Sequence, residues 1–109
     1  MSDLASRRCT QQHGPALSRG TAETFLKQLT SWTIDAEAKA IRRTFAFQDY
    51  YAAMAFVNAV AWIAHREDHH PDMTVGYHKV TIVFATHSVS GLSENDFICA
   101  AKIDALGAA

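Results

Sequence analysis

The sequence predicts an α+β domain: a four-stranded antiparallel sheet with helices packed on one face, in the order helix, two strands, long helix, two strands, helix. Three observations carry this reading. Residues 40–47 and 79–86 alternate apolar and polar side chains, the period of half-buried strands. Between them, Tyr50 to Asp68 is rich in Ala, Met, Phe, Val and Trp and has no Gly or Pro, the mark of a long helix. Two pairs of strands flanking one such helix favour antiparallel pairing with the helices on one side.

In chain order, residues 1–17 mix charge, glutamines and a Gly14-Pro15 breaker without periodicity. They are expected to be a flexible tail, leaving 18–109 as a single domain. Ser18 caps a short helix with Phe25, Leu26 and Leu29 on one side, ending before Trp32. A short strand covers Trp32 to Ile34, followed by a charged turn at 35–39. In the second strand Ile41, Arg43, Phe45 and Phe47 point one way and Arg42, Thr44 and Ala46 the other, with its arginine exposed or at an edge. Asp49 stands at the N-cap of the long helix. That helix is apolar on more than one face from Tyr50 to Ala64, so burial against both the sheet and another surface, such as a second subunit, is expected. Trp62, Met54 and Phe56 read as core or subunit contacts. Pro71 cannot continue the helix and pushes His70 towards extended geometry, placing His69 and His70 at the helix-to-strand junction. Strands follow at Val75–Tyr77 and Lys79–Thr86, the second with Val80, Ile82 and Phe84 inward and His87 at its end. Gly91 allows a turn, and Ser93 caps a last helix whose buried face includes Phe97, Ile98, Ala101 and Leu106.

Composition bounds the function. The chain has 109 residues, 49% of them apolar, enough for one modest core. Ten Lys and Arg against eleven Asp and Glu leave no basic excess of the kind that binds nucleic acid without regard to sequence. Cys9 and Cys99 are far apart and lack a CxxC partner, which argues against a disulfide framework or a thiolate zinc site and for reduced thiols. No apolar run is long enough to span a bilayer. Arg7, Arg8 and Arg19 with Ser2, Ser6 and Ser18 have the composition of an organelle presequence, but Asp3 and the missing amphipathic pattern oppose it. A soluble, cytoplasmic protein is expected.

The chemistry concentrates in His69-His70-Pro71 and His87. Imidazole has an unperturbed pKa near neutrality, so histidines around one pocket can give and take protons at physiological pH. Adjacent histidines cannot both follow the buried face of a regular helix, and the junction lets them share a cavity. The competing account is a metal: His65 and His69 are spaced i, i+4. Glu67 follows His65 by two residues, not by one as in HExxH, and so turns away from such a metal face. Asp96 completes Ser93-x-x-Asp96, a capping-box pattern, and a carboxylate there can also orient a histidine or bind a polar edge of a ligand.

His69-His70-Pro71, Tyr77, Lys79-Val80, Thr86-His87, Gly91-Leu92-Ser93 and Asp96 together resemble the pterin-4a-carbinolamine dehydratases, and the resemblance extends more loosely through Trp32, Phe45-Ala46-Phe47 and Asp49. It implies the same four-stranded fold, assembled as a homodimer or homotetramer. It also implies dehydration of 4a-hydroxytetrahydropterin to quinonoid dihydropterin in pterin recycling, linked to an aromatic amino acid hydroxylase, with no metal or redox cofactor. By the same resemblance His69, His70 and His87 are catalytic, and Pro71, Thr86, Ser88, Val89 and Asp96 form the pterin pocket. Two positions depart from the family pattern: His65 stands where an acidic residue is frequent, and Met73 where an aromatic one is. The alternative expectation, from the apolar long helix and from animal members that stabilise a homeodomain transcription factor, is a non-catalytic dimerisation or binding module acting on a protein partner.

Overall fold

The structure, a computed structural model, describes residues 3–107. Its elements are α1 (Arg19–Leu26), β1 (Thr33–Ile34), β2 (Ile41–Ala46), α2 (Tyr50–Glu67), β3 (Asp72–Val75), β4 (Lys79–Phe84) and α3 (Glu94–Asp104), with 3₁₀ turns at Leu4–Ser6 and His87–Val89. The strands form one antiparallel sheet in the order β1-β2-β4-β3. The two hairpins therefore meet at β2 and β4, and α2 carries the chain from β2 across to the far edge. The helices cover one face, as the element order predicts.

Alternation decides which face is covered. Ile41 and Phe45 of β2 and Val80, Ile82 and Phe84 of β4 are buried, while Arg42, Thr44 and Ala46 face out. On the open face Thr44 and Thr81, directly opposed in register, share a hydroxyl hydrogen bond of 2.8 Å. Phe45 meets Phe56 of α2 at 4.6 Å between ring centroids, an aromatic contact that joins sheet to helix, and Trp32, just before β1, meets Phe84 of β4 at 6.1 Å. Asp49 caps α2 by accepting from the Ala52 N–H at 2.8 Å, and Ser18 caps α1 by accepting from Thr21.

Arg43 is neither exposed nor at an edge. Its guanidinium lies 4.2 Å from the Phe45 ring centroid and donates to Asp104 Oδ1 at 2.8 Å. The same carboxylate accepts from Trp32 Nε1 at 2.8 Å and from the Thr30 N–H at 3.0 Å, tying the end of α3 to β2 and to the start of β1. The third strand lies earlier than expected, at Asp72–Val75, because Pro71 already sets extended backbone and Gly76, whose N–H donates to the Lys79 carbonyl, belongs to the hairpin turn. The fourth strand stops at Phe84, and His87 opens the 3₁₀ turn that follows it. Gly91 serves close approach: a Cβ there would stand 2.7 Å from the Ala16 Cβ, while the left-handed residue of the turn is Ser90, at φ 56°. Trp62 is 61% exposed and Met54 half-buried, whereas Phe56 is in the core.

The lead-in expected as a tail is instead a strap laid over α3 and the end of α2; residues 1 and 2 lie outside the described residues. Leu4 is fully buried in the core, Lys102 Nζ donates to the Ala5 carbonyl at 2.8 Å, Arg7 pairs with Glu94, and the Leu17 N–H donates to the Leu92 carbonyl at 2.9 Å. No periodicity announces such a strap because its contacts are single side chains and backbone groups in an extended chain. Its centre is Glu67, whose side chain is 1% exposed. The Cys9 N–H donates to Oε1 at 2.8 Å, Arg8 Nε stands 3.0 Å from Oε2 and Lys102 Nζ 3.9 Å from it. Burial works to raise the Glu67 carboxyl, but the Cys9 N–H, Lys102 and Arg8 outweigh it and hold the group below its ordinary value.

Two outcomes follow. Asp104→Ala strands the Arg43 and Trp32 donors and should cost about 2–4 kcal/mol in urea denaturation. Because Glu67 has a folded pKa below its unfolded one, the unfolded chain binds more protons, so the carboxylate's contribution is full above about 4.5 and is lost as pH falls through the lower folded value. The stability gap between wild type and Glu67→Gln should therefore be widest near neutrality and shrink in acid.

Candidate active site

The junction that follows α2 is built by a left-handed residue. Asp68 (φ 52°, ψ 44°) ends the helix, and Pro71 then fixes the extended course into β3. Across from it, the chain leaves β4 at Phe84 and turns at His87–Val89. Between these two segments opens a cleft of about 370 Å³ lined by His69, His70, Pro71, Thr86, His87 and Ser88, with Asp68, Asp72 and Ala85 completing the wall. All three expected catalytic histidines thus face one cavity, of the size that holds small ligands. A second cleft of about 390 Å³ adjoins it, sharing His69, Thr86 and Ser88 and walled on the other side by Cys9, Thr10, Gln11 and Gln12 of the strap.

The three imidazoles differ in how they are held. His70 and His87 are exposed, whereas the His69 side chain is 11% exposed. His69 stacks on Phe84 at 5.7 Å between centroids and 7° between planes, and its Nε2 lies 2.6 Å from Asp96 Oδ1. Asp96 is fully buried. Its other oxygen accepts from Thr86 Oγ1 at 2.8 Å and from the Ser93 N–H at 2.9 Å, closing the capping box of α3. The carboxylate therefore stands behind His69 and lines neither cleft, set back from its expected place in the pocket wall. It also supplies the orienting carboxylate that His65, exposed on α2, does not. Val89 is likewise set back: its side chain is buried and does not line the cleft, because the 3₁₀ turn directs it inward. Met73 is partly buried against the core.

Asp68, Asp72 and the strap residues Thr10 to Gln12 escape the sequence reading. The first two carried a signal, since they bracket the histidine pair; the strap residues carried none, as only the folded chain brings them there. Among the described residues, no three His, Cys, Asp or Glu side chains are grouped to hold a metal ion, and no helix is long and apolar enough to cross a membrane.

Fold and site together define a small α+β protein with an imidazole-lined cleft. Residues 15–106 match the family model described as pterin 4 alpha carbinolamine dehydratase. A Nitrosospira multiformis protein provisionally named pterin-4-alpha-carbinolamine dehydratase is 55% identical over 106 residues, 95% of this chain and 92% of the relative. A Stenotrophomonas maltophilia protein of the same provisional name is 54% identical over 105 residues, 94% of this chain and 90% of that one. Among solved structures, the transcriptional coactivator/pterin dehydratase of Brucella melitensis superposes with a TM-score of 0.81 at 33% identity, over 86% of this chain and 99% of that one. A pterin dehydratase-like protein identified as a RuBisCO assembly factor in the alpha-carboxysome gives a TM-score of 0.61 at 27% identity, over 71% of this chain and 89% of its own. The chain belongs to the pterin-4-alpha-carbinolamine dehydratase family, whose enzymes are hydro-lyases.

Asp96→Ala leaves the Ser93 N–H and the Thr86 hydroxyl without their shared acceptor, and should cost about 2–4 kcal/mol by denaturation. Combined with Thr86→Val its effect should be non-additive by about 0.5–3 kcal/mol in a double-mutant cycle, because both residues belong to one network.

Proposed function

We propose that the chain dehydrates a 4a-hydroxytetrahydropterin to the quinonoid dihydropterin by histidine acid–base catalysis, serving pterin recycling beside an aromatic amino acid hydroxylase. The observation that supports this most is the meeting of His69, His70 and His87 around one cleft. The reaction breaks the C4a–O bond and removes the proton on N5 as the C=N bond forms. The departing hydroxide must receive a proton, and the N5 proton needs an acceptor.

His69 is the best placed of the three. With Asp96 accepting from Nε2–H, the neutral ring presents Nδ1 as a base, and the protonated ring presents Nδ1–H as an acid whose positive charge the carboxylate compensates. Stacking on Phe84 fixes the plane in which that proton moves. His69 and His87 act as alternative general acids at opposite faces of the pterin, and His70 chiefly holds it. Pro71, Thr86 and Ser88 shape the pocket, and Val89 and Asp96 act from behind it. No metal or redox cofactor enters the scheme, which runs in the cytoplasm on a homodimer or homotetramer.

A second reading is a binding module. It is favoured by the exposed rings of Tyr50, Tyr51 and Trp62 on α2, and by the RuBisCO assembly role of the carboxysomal protein of related fold. It requires a protein partner captured through α2 and indifferent to the histidines.

Stopped-flow dehydration of the 4a-carbinolamine separates the two. His69→Ala and His87→Ala should each lower kcat by about 10²-fold or more for the 4a-epimer whose hydroxyl faces the lost imidazole, and His70→Ala should act mainly on KM. Wild-type protein that leaves the spontaneous rate unchanged would refute the enzymatic reading.

A further inference from the structure

The two cysteines, so distant in sequence, meet in the fold. Cys9 Sγ lies 3.5 Å from Cys99 Sγ, and both are free thiols. Cys9 sits on the strap and is partly exposed, whereas Cys99 lies within α3 and is buried. Hydrogen bonds on either side hold Cys9 in place: its own N–H on Glu67, and the Thr10 N–H on Asn95 Oδ1 at 3.1 Å. The Cys9 S–H points to the Asn95 carbonyl at 3.7 Å, which leaves the Cys99 S–H to donate to Cys9 Sγ. A disulfide needs a separation of about 2.05 Å. The extended strap, unlike a residue fixed in mid-helix, can supply the remaining approach.

We infer that Cys9 and Cys99 form a redox-active dithiol, a modification site at which a peroxide ties the strap covalently to α3. Cys9 attacks one peroxide oxygen, the O–O bond breaks, water departs and Cys9 becomes a sulfenic acid. Cys99 then attacks the Cys9 sulfur; the S–O bond breaks and the hydroxyl leaves with the Cys99 thiol proton as a second water. Two electrons pass from the sulfur pair to one peroxide. The order follows from the surroundings. The hydrogen bond to Cys9, burial, and the negative charges available at Cys9, Glu67 and Asp96 push the Cys99 thiol up, so it remains protonated while the accessible Cys9 meets the oxidant. Cys9 also walls the cleft that adjoins the histidines, so the bond would fix that wall, whichever reaction the histidines perform.

The test treats the full chain with hydrogen peroxide and follows thiol titration, intact mass and thermal melting. Free thiols should fall from two to none per chain, with loss of two hydrogen atoms in mass. The melting midpoint should rise by roughly 10 °C, because a long loop is closed, and dithiothreitol should reverse all three changes. Cys9→Ser should abolish them, and its partly exposed position keeps the test readable if Cys99→Ala fails to fold. Survival of both thiols, a sulfinic acid on Cys9 beside a free Cys99, or disulfides between chains would each overturn the inference.

Discussion

A carboxylate without access to water joins the three segments that make the site. Asp96 receives the His69 imidazole from the end of α2, the Thr86 hydroxyl from the chain leaving β4, and the Ser93 N–H at the start of its own helix. A buried, fully engaged acceptor of this kind is costly to disturb, since each donor loses a partner that no water replaces. The cleft therefore inherits its geometry from the way α3 begins. The helix cap and the orientation of the leading imidazole are one interaction, which explains how a pair of segments outside regular structure can hold a defined cavity.

Glu67 does a related job two residues before His69. It is the last residue of α2, and it gathers Cys9, Arg8 and Lys102 from the strap and α3. Through it the strap is laid against the same helix end that presents His69, so the two neighbouring clefts have a common floor. The face of the sheet opposite the helices takes no part; its threonines and arginine are turned outward. The three clustered histidines and Asp96 lie at one end of the molecule, where α2 ends, β3 starts and the β4 connection turns.

Periodicity made the sheet and long helix legible, because Ile41, Phe45, Val80, Ile82 and Phe84 obey strict alternation and Asp49 marks the start of α2. Ser93 and Asp96 likewise announced the cap of α3. Local pattern failed where partners are remote. Arg43 looked like an edge residue because Asp104 and Phe45 lie on the far side of its burial, one of them at the other end of the chain. The strap looked loose because its anchors, Glu67, Asn95 and Glu94, belong to other elements. Gly91 looked like a turn glycine, whereas its missing Cβ makes room for Ala16. In the site, adjacency of His69 and His70 and the position of His87 sufficed to suggest a shared cleft. That Asp96 lies behind His69, and Val89 inside the turn, depends on depth, which spacing does not encode.

In the proposed reaction, the cleft between the α2–β3 junction and the His87 turn receives a pterin. A crystal structure with a dihydropterin bound tests it most directly. The bicyclic ring should seat beside Pro71 with its C4a edge between His69 and His87, and Asp96 should remain on Nε2 of His69. A ring found instead in the groove between α2 and the end of α3, lined by Trp62, Arg66, Lys102 and Leu106, or the histidine cleft left empty at saturating ligand, would rule this out.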